Sequence, residues 1–144
     1  MTEIDEADWG ADLAHRRERG IKAYARIFDV PEKDVPAAMA GRVGPVFAEE
    51  VFLAAGGPAW SSPAITDRER NMVVITALAA QGVADDRLEA HIRLAQRNGL
   101  DYEALAAMLT LVTNYVGQAH GSLAMEAVQR VAGSVSPRSA LVKP

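Results

Sequence analysis

The stretch DDRLEAHIRLAQRNGLD, residues 85–101, holds a start signal, a periodic face and a stop signal in close succession. Asp85 or Asp86 can cap the first turn, because a short carboxylate accepts a hydrogen bond from an N–H group that has no partner within the helix. Leu88, His91, Ile92 and Ala95 follow the i, i+3, i+4, i+7 spacing and share one face. Asn98-Gly99 ends the run, since glycine readily adopts the left-handed conformation that closes a helix. Asp101 then caps another helix. The apolar face predicts burial, and an ionisable imidazole, His91, stands in the middle of it.

The same signals recur outward in both directions. Thr66 and Glu69 form a capping-box pattern ahead of RERNMVVITALAAQ, and Gly82 closes that helix. After Asp101, Leu105, Met108, Leu109, Val112 and Val116 share a face. Gly117 and Gly121 interrupt or bend the chain before SLAMEAVQRVAG forms the last helix. Upstream, ADLAHRRERGIKAYARIF predicts a helix over 11–28 with Gly20 as its weak point. DVPEKDVP reads as a turn, because Pro31 and Pro36 restrict regular structure. VGPVFAEEVFLAAGG reads as a helix ending at Gly56 and Gly57, and PAWSSPAI as a loop. Alternating β-branched runs are absent. The expectation is an all-α bundle of about six helices forming one domain over 1–144, with a core at about 11–133. The tail, 134–144, is expected to be flexible or packed on a partner subunit.

Composition removes several function classes. The 144 residues contain no cysteine, which excludes disulfide scaffolds, thiolate metal sites and thiol catalysis. The net charge is −4 and no long basic run occurs, so neither nucleic acid nor an anionic membrane surface is an expected partner. The opening MTEIDEADWG lacks the apolar segment of a secretory signal, and no apolar run approaches the ~20 residues of a membrane span. The expected location is the cytoplasm. His91 and His120 fall on different helices with no carboxylate cluster at ligand spacing, so no metal site is expected.

The ordered set of segments resembles the carboxymuconolactone decarboxylase family, which shares the alkyl hydroperoxidase D-like helical fold. AWSSPAITDRER is similar to the pattern W-x-x-P-x-[LI]-x-x-[RK]-x-R, matched at Trp60, Pro63, Ile65, Arg68 and Arg70. AHIRLAQRNGLDYEALAAML resembles LHVRAALRNGVTPEEIREVL, matched at His91, Arg93, Ala95, Arg97, Asn98 and Gly99. NMVVITALAAQG resembles the family's apolar helix, and NYVG its IYAG. RRERGIKAYARIFD resembles R-x-E-x-G-x-K at Arg17 (or Arg16), Gly20 and Lys22.

That resemblance implies a cofactor-free lyase that decarboxylates, or moves a proton on, a small carboxylated lactone or related cyclic acid, as in the catabolism of aromatic compounds. It also implies a homo-oligomer, a hexamer built as a trimer of dimers. The thiol-peroxidase branch of the superfamily uses a C-x-x-C pair and a glutamate; here there is no sulfur, and Asn71 stands where that glutamate would be. Peroxidatic chemistry needs a thiolate and is excluded. The decarboxylase branch carries W-G-E-[IV]-W and Y-A-G-V-P-A-A, where this chain has GGPAW and YVGQAHG. Pro58 therefore replaces an acid, and His120 replaces a small residue.

The expected catalytic residues are His91 and His120, and the expected substrate-binding residues are Arg70, Arg93, Trp60 and Tyr115. Each also has a structural reading. A helix histidine can be a bonded core residue. Arg70 and Arg93 can dock a carboxylate, or pair with Glu69, Glu89 or Glu49. Trp60 and Tyr115 can simply pack. Two further classes stay open: a family member with isomerase or cyclase chemistry, and a non-catalytic oligomeric ligand-binding protein.

Overall fold

In the computed structural model, which describes residues 6–135, every regular element is helical. The order is α1 (Glu6–Phe28), a 3-10 turn (Glu32–Asp34), α2 (Val35–Val43), α3 (Pro45–Ala55), α4 (Pro58–Ser61), α5 (Asp67–Ala80), α6 (Asp86–Arg97), α7 (Tyr102–Val116) and α8 (Gln118–Val135). The described residues thus hold eight α-helices rather than about six. The two additional ones are α2, which starts within the stretch read as a proline turn, and α4, which lies in the stretch read as a loop. Proline lies in the first two positions of both, where its missing N–H has no helical partner to lose and its fixed φ already suits a helix. Residues 136–144, most of the expected tail, lie outside the described residues.

The chain forms two compact units, Met1–Ile65 and Thr66–Pro144. In the first, α1 packs along α3. Val35, Met39, Ala48 and Phe52 form its buried cluster, with Tyr24 edge-on to Phe52 at 6.0 Å between ring centroids. The two helices touch backbone to backbone. A Cβ added to Gly20 would sit 1.9 Å from the Phe52 carbonyl oxygen, so only glycine permits this approach. The Arg16 Nε donates to the Leu53 carbonyl at 2.8 Å, which adds a polar tie between the same helices.

In the second unit, α5 and α6 form a hairpin, and α7 and α8 form another that packs on it. Ile75, Leu88, Ile92, Leu105, Leu109 and Val128 are almost wholly buried in one continuous core. Burying each large aliphatic side chain stabilises the fold by about 1.5–3 kcal/mol relative to exposure. The expected caps hold. The Glu69 N–H donates to Thr66 Oγ1 at 3.1 Å while the Thr66 N–H donates to Glu69 Oε2 at 2.6 Å, a complete capping box. Asp85, rather than Asp86, caps α6, and Asp101 caps α7. Gly82, Gly99 and Gly117 have φ of +70, +91 and +91 at the turns that follow α5, α6 and α7. The last helix starts earlier than SLAMEAVQRVAG predicts: Gly117 ends α7 and Gly121 lies inside α8. A Cβ on Gly121 would meet Thr113 Oγ1 at 2.0 Å, so this glycine sets the approach of α8 to α7.

Candidate functional site

The face quoted at the outset divides cleanly. Leu88, Ile92 and Ala95 are fully buried in the core, while His91, one turn from Leu88 and from Ala95, is half-buried. Loss of water around the ring pushes the His91 pKa below the ordinary histidine value, because burial disfavours the charged form. At neutral pH its imidazole is therefore neutral, and when protonated it is a stronger acid than a solvated histidine.

The helix packed beside α6 contributes Arg70 and Asn71. Arg70 Nη1 bonds Asp67 Oδ1 at 2.9 Å, and the Arg70 side chain is only 7% exposed. A guanidinium this buried is unusual for a residue in the first turn of a helix. Asn71 has no exposed surface. Its Oδ1 accepts from Asn98 Nδ2 at 3.4 Å, while its Nδ2 has no hydrogen-bond partner among the described residues. His91 precedes Asn98 on α6 by two turns, about 10 Å along the axis.

Arg93 is exposed on α6 and bonds Glu89 at 3.3 Å. Glu89 also receives Arg130 Nε at 2.8 Å. Arg93 thus occupies a surface ion-pair network, the structural reading of that residue. His120 is half-buried, and its Nδ1 donates to the Ala80 carbonyl at 3.1 Å. The carbonyl can only accept, which places a proton on Nδ1. A Cβ on Gly82 would stand 3.0 Å from the other ring nitrogen, so His120 is seated against the turn that ends α5.

Tyr115 is 85% exposed. With Val73, Leu111 and Met108 it lines an almost wholly apolar groove of about 570 Å³ whose walls come from α5 and α7 alone. His91, on α6, does not line that groove. Trp60 lies in the first unit, where it borders a small recess with Arg19, Lys22 and Arg26.

The comparisons bear on the part of the chain that holds these groups. Residues 45–130, well over half of the 144, match the model of the Carboxymuconolactone decarboxylase family. The chain belongs to that family. No curated protein and no solved structure matches it. The family match takes in Trp60, Arg70, His91, Arg93, Tyr115 and His120, so every expected catalytic and substrate-binding residue lies within the matched segment.

Among the described residues no three histidine, aspartate or glutamate side chains converge as a metal site, and no helix is long and apolar enough to cross a membrane. Two features, the buried Asn71 and the basic recess, were not legible as such in the sequence. Asn71 was noted only as a replacement for glutamate, and nothing in its neighbours announced complete burial. The basic recess had a signal, since Arg19, Lys22 and Arg26 recur at helical spacing, but a charge run on a helix reads first as a solvated face.

Proposed function

We propose that this member of the carboxymuconolactone decarboxylase family is a carboxy-lyase that needs no organic cofactor, acts on a small carboxylated lactone or related cyclic acid, and uses His91 as its proton-transfer group. One observation carries the reading: a half-buried histidine on α6, its pKa lowered by loss of water, sits inside the residues that match the family. Loss of CO2 from such a substrate leaves an electron pair that delocalises into the conjugated lactone carbonyl, so the substrate is its own electron sink. The protein must hold the remote carboxylate, stabilise the developing oxyanion and deliver a proton to carbon.

Arg70 suits the first task, since a buried guanidinium presents paired donors to a carboxylate. His91 suits the last, and as a neutral ring it can also donate to an oxyanion. Trp60 and Tyr115, the other expected substrate contacts, border separate cavities that include neither His91 nor Arg70. Arg93 and His120 are second candidates whose bonds to Glu89 and to the Ala80 carbonyl favour supporting roles. Those same bonds favour the second reading, a ligand-binding oligomer without turnover.

The test is mass-spectrometric turnover of carboxylated lactones and β-keto acids by the pure protein. CO2 release above the uncatalysed rate supports the lyase, and saturable binding without turnover supports the second reading. We also propose a homo-oligomer, a hexamer arranged as a trimer of dimers. Val73, Leu111 and Tyr115 leave large apolar surfaces in the α5–α7 groove, and a contiguous apolar face of this kind calls for cover. Light scattering should give a mass near six times the 15.4 kDa chain, and a stable monomer at micromolar concentration would contradict the assembly.

A further inference from the structure

Arg19, Lys22, Ala23 and Arg26 follow the i, i+3, i+4, i+7 spacing on α1 and form one wall of a recess of about 150 Å³ in the first unit. Trp60 and Ala55 form the facing side. No acidic side chain lines the recess. Like charges at this spacing repel one another on a helix, and the chain as a whole carries −4. Arg26 has a partner of its own, so Arg19 and Lys22 are the charges that favour an anion in the concavity.

The groups are also placed. Arg19 Nε donates to the Gly56 carbonyl at 2.9 Å, which holds the guanidinium at the rim while its terminal amino groups bond nothing among the described residues. Lys22 makes no hydrogen bond or ion pair among the described residues. Of the remaining lining, the indole of Trp60 and the methyl groups of Ala23 and Ala55 are apolar, and the Ser61 hydroxyl is already committed as a donor to the Gly57 carbonyl at 3.1 Å, so the recess offers little to a bare inorganic ion. A water molecule takes up about 30 Å³ in the liquid, so the recess matches about five waters. That is the size of a single ring bearing a carboxylate, and too small for a nucleotide or a folded peptide segment.

We propose that this recess binds a small planar organic carboxylate, its ring against Trp60 and its charge on Arg19 and Lys22. The inference is about binding in the first unit and does not depend on whether His91 turns any acid over.

The test uses the full chain with Trp9→Phe, which leaves Trp60 as its only tryptophan, and benzoate as the probe. Benzoate should change the Trp60 emission saturably. Benzamide, with the ring and no charge, and inorganic phosphate, with charge and no ring, should each bind about tenfold or more weakly, since ring stacking and charge pairing both contribute. Lys22→Gln should keep the melting temperature and weaken benzoate by about fivefold, and Lys22→Arg should restore it. The proposal is overturned by an unsaturable response, by equal affinity for benzamide or phosphate, or by a Lys22→Gln protein that binds benzoate as the parent does.

Discussion

In the second unit α5, α6 and α7 each begin on an oxygen-bearing side chain, Thr66, Asp85 and Asp101. In the first unit α2, α3 and α4 begin with no side-chain cap and carry proline in their first two positions. The contrast extends to packing. The second unit is held by a continuous aliphatic core from Ile75 to Val131. The first relies on a smaller cluster and on direct backbone approach at Gly20 and Gly56, where a Cβ would lie 1.9 Å and 1.6 Å from carbonyl oxygens of the neighbouring helix. Arginine bonds to main-chain carbonyls and the Arg17–Glu49 pair reinforce it. Local helix signals thus shape one unit, and tolerance of close contact shapes the other.

The largest expected effect follows from that close contact. Gly20→Ala must push α1 away from α3, and it should destabilise the first unit by more than the ~1–3 kcal/mol of an extra methylene in a packed core. Hydrogen exchange should show lost protection in α1 and α3 with α5 to α7 little changed. Unchanged protection in α1 would remove the backbone-contact account. Asp101→Ala tests the opposite unit at a smaller scale. It deletes the acceptor for the Ala104 N–H, a 2.9 Å bond, and should cost about 1 kcal/mol in denaturant unfolding. Smallest is Arg17→Gln. Its 2.6 Å pair with Glu49 joins side chains 39% and 46% exposed, so solvent screening should hold the loss below about 1 kcal/mol. The difference between variant and parent should shrink further in high salt.

The same contrast explains what could be read in advance. Thr66, Glu69, Asp101, Gly82 and Gly99 act within a turn of themselves, so their roles follow from spacing alone. The helices α2 and α4 were not legible, because Pro36 and Pro58 serve equally as breakers and as first-turn residues until the following residues are seen to pack. Gly20 looked like a weak point in a helix and is a contact point, a distinction made only by Phe52, far along the chain. For the site, the burial of Leu88, Ile92 and Ala95 followed from period, while the half-burial of His91 on the same face did not. The pairing of Arg93 with Glu89 was open to spacing, since the two lie four residues apart on α6, whereas the bond from Arg130 to Glu89 depended on two helices meeting and the bond from His120 to the Ala80 carbonyl on the geometry of a turn.

The most direct measurement of the central claim is His91→Gln, with melting temperature and turnover followed together from pH 8 to pH 5. The folded pKa of His91 lies below the ordinary 6.5, so as pH falls the unfolded chain takes up this proton first. Its contribution to stability is therefore complete above about 6.5 and is lost as pH falls toward the folded value. The parent should lose this part of its stability below about pH 6.5, and the glutamine variant should not. On the lyase substrate the variant should retain its melting temperature near pH 7 and lose turnover by about a hundredfold or more. A variant that melts about 1–3 kcal/mol less stably and keeps its turnover would make His91 a core residue and contradict the catalytic assignment.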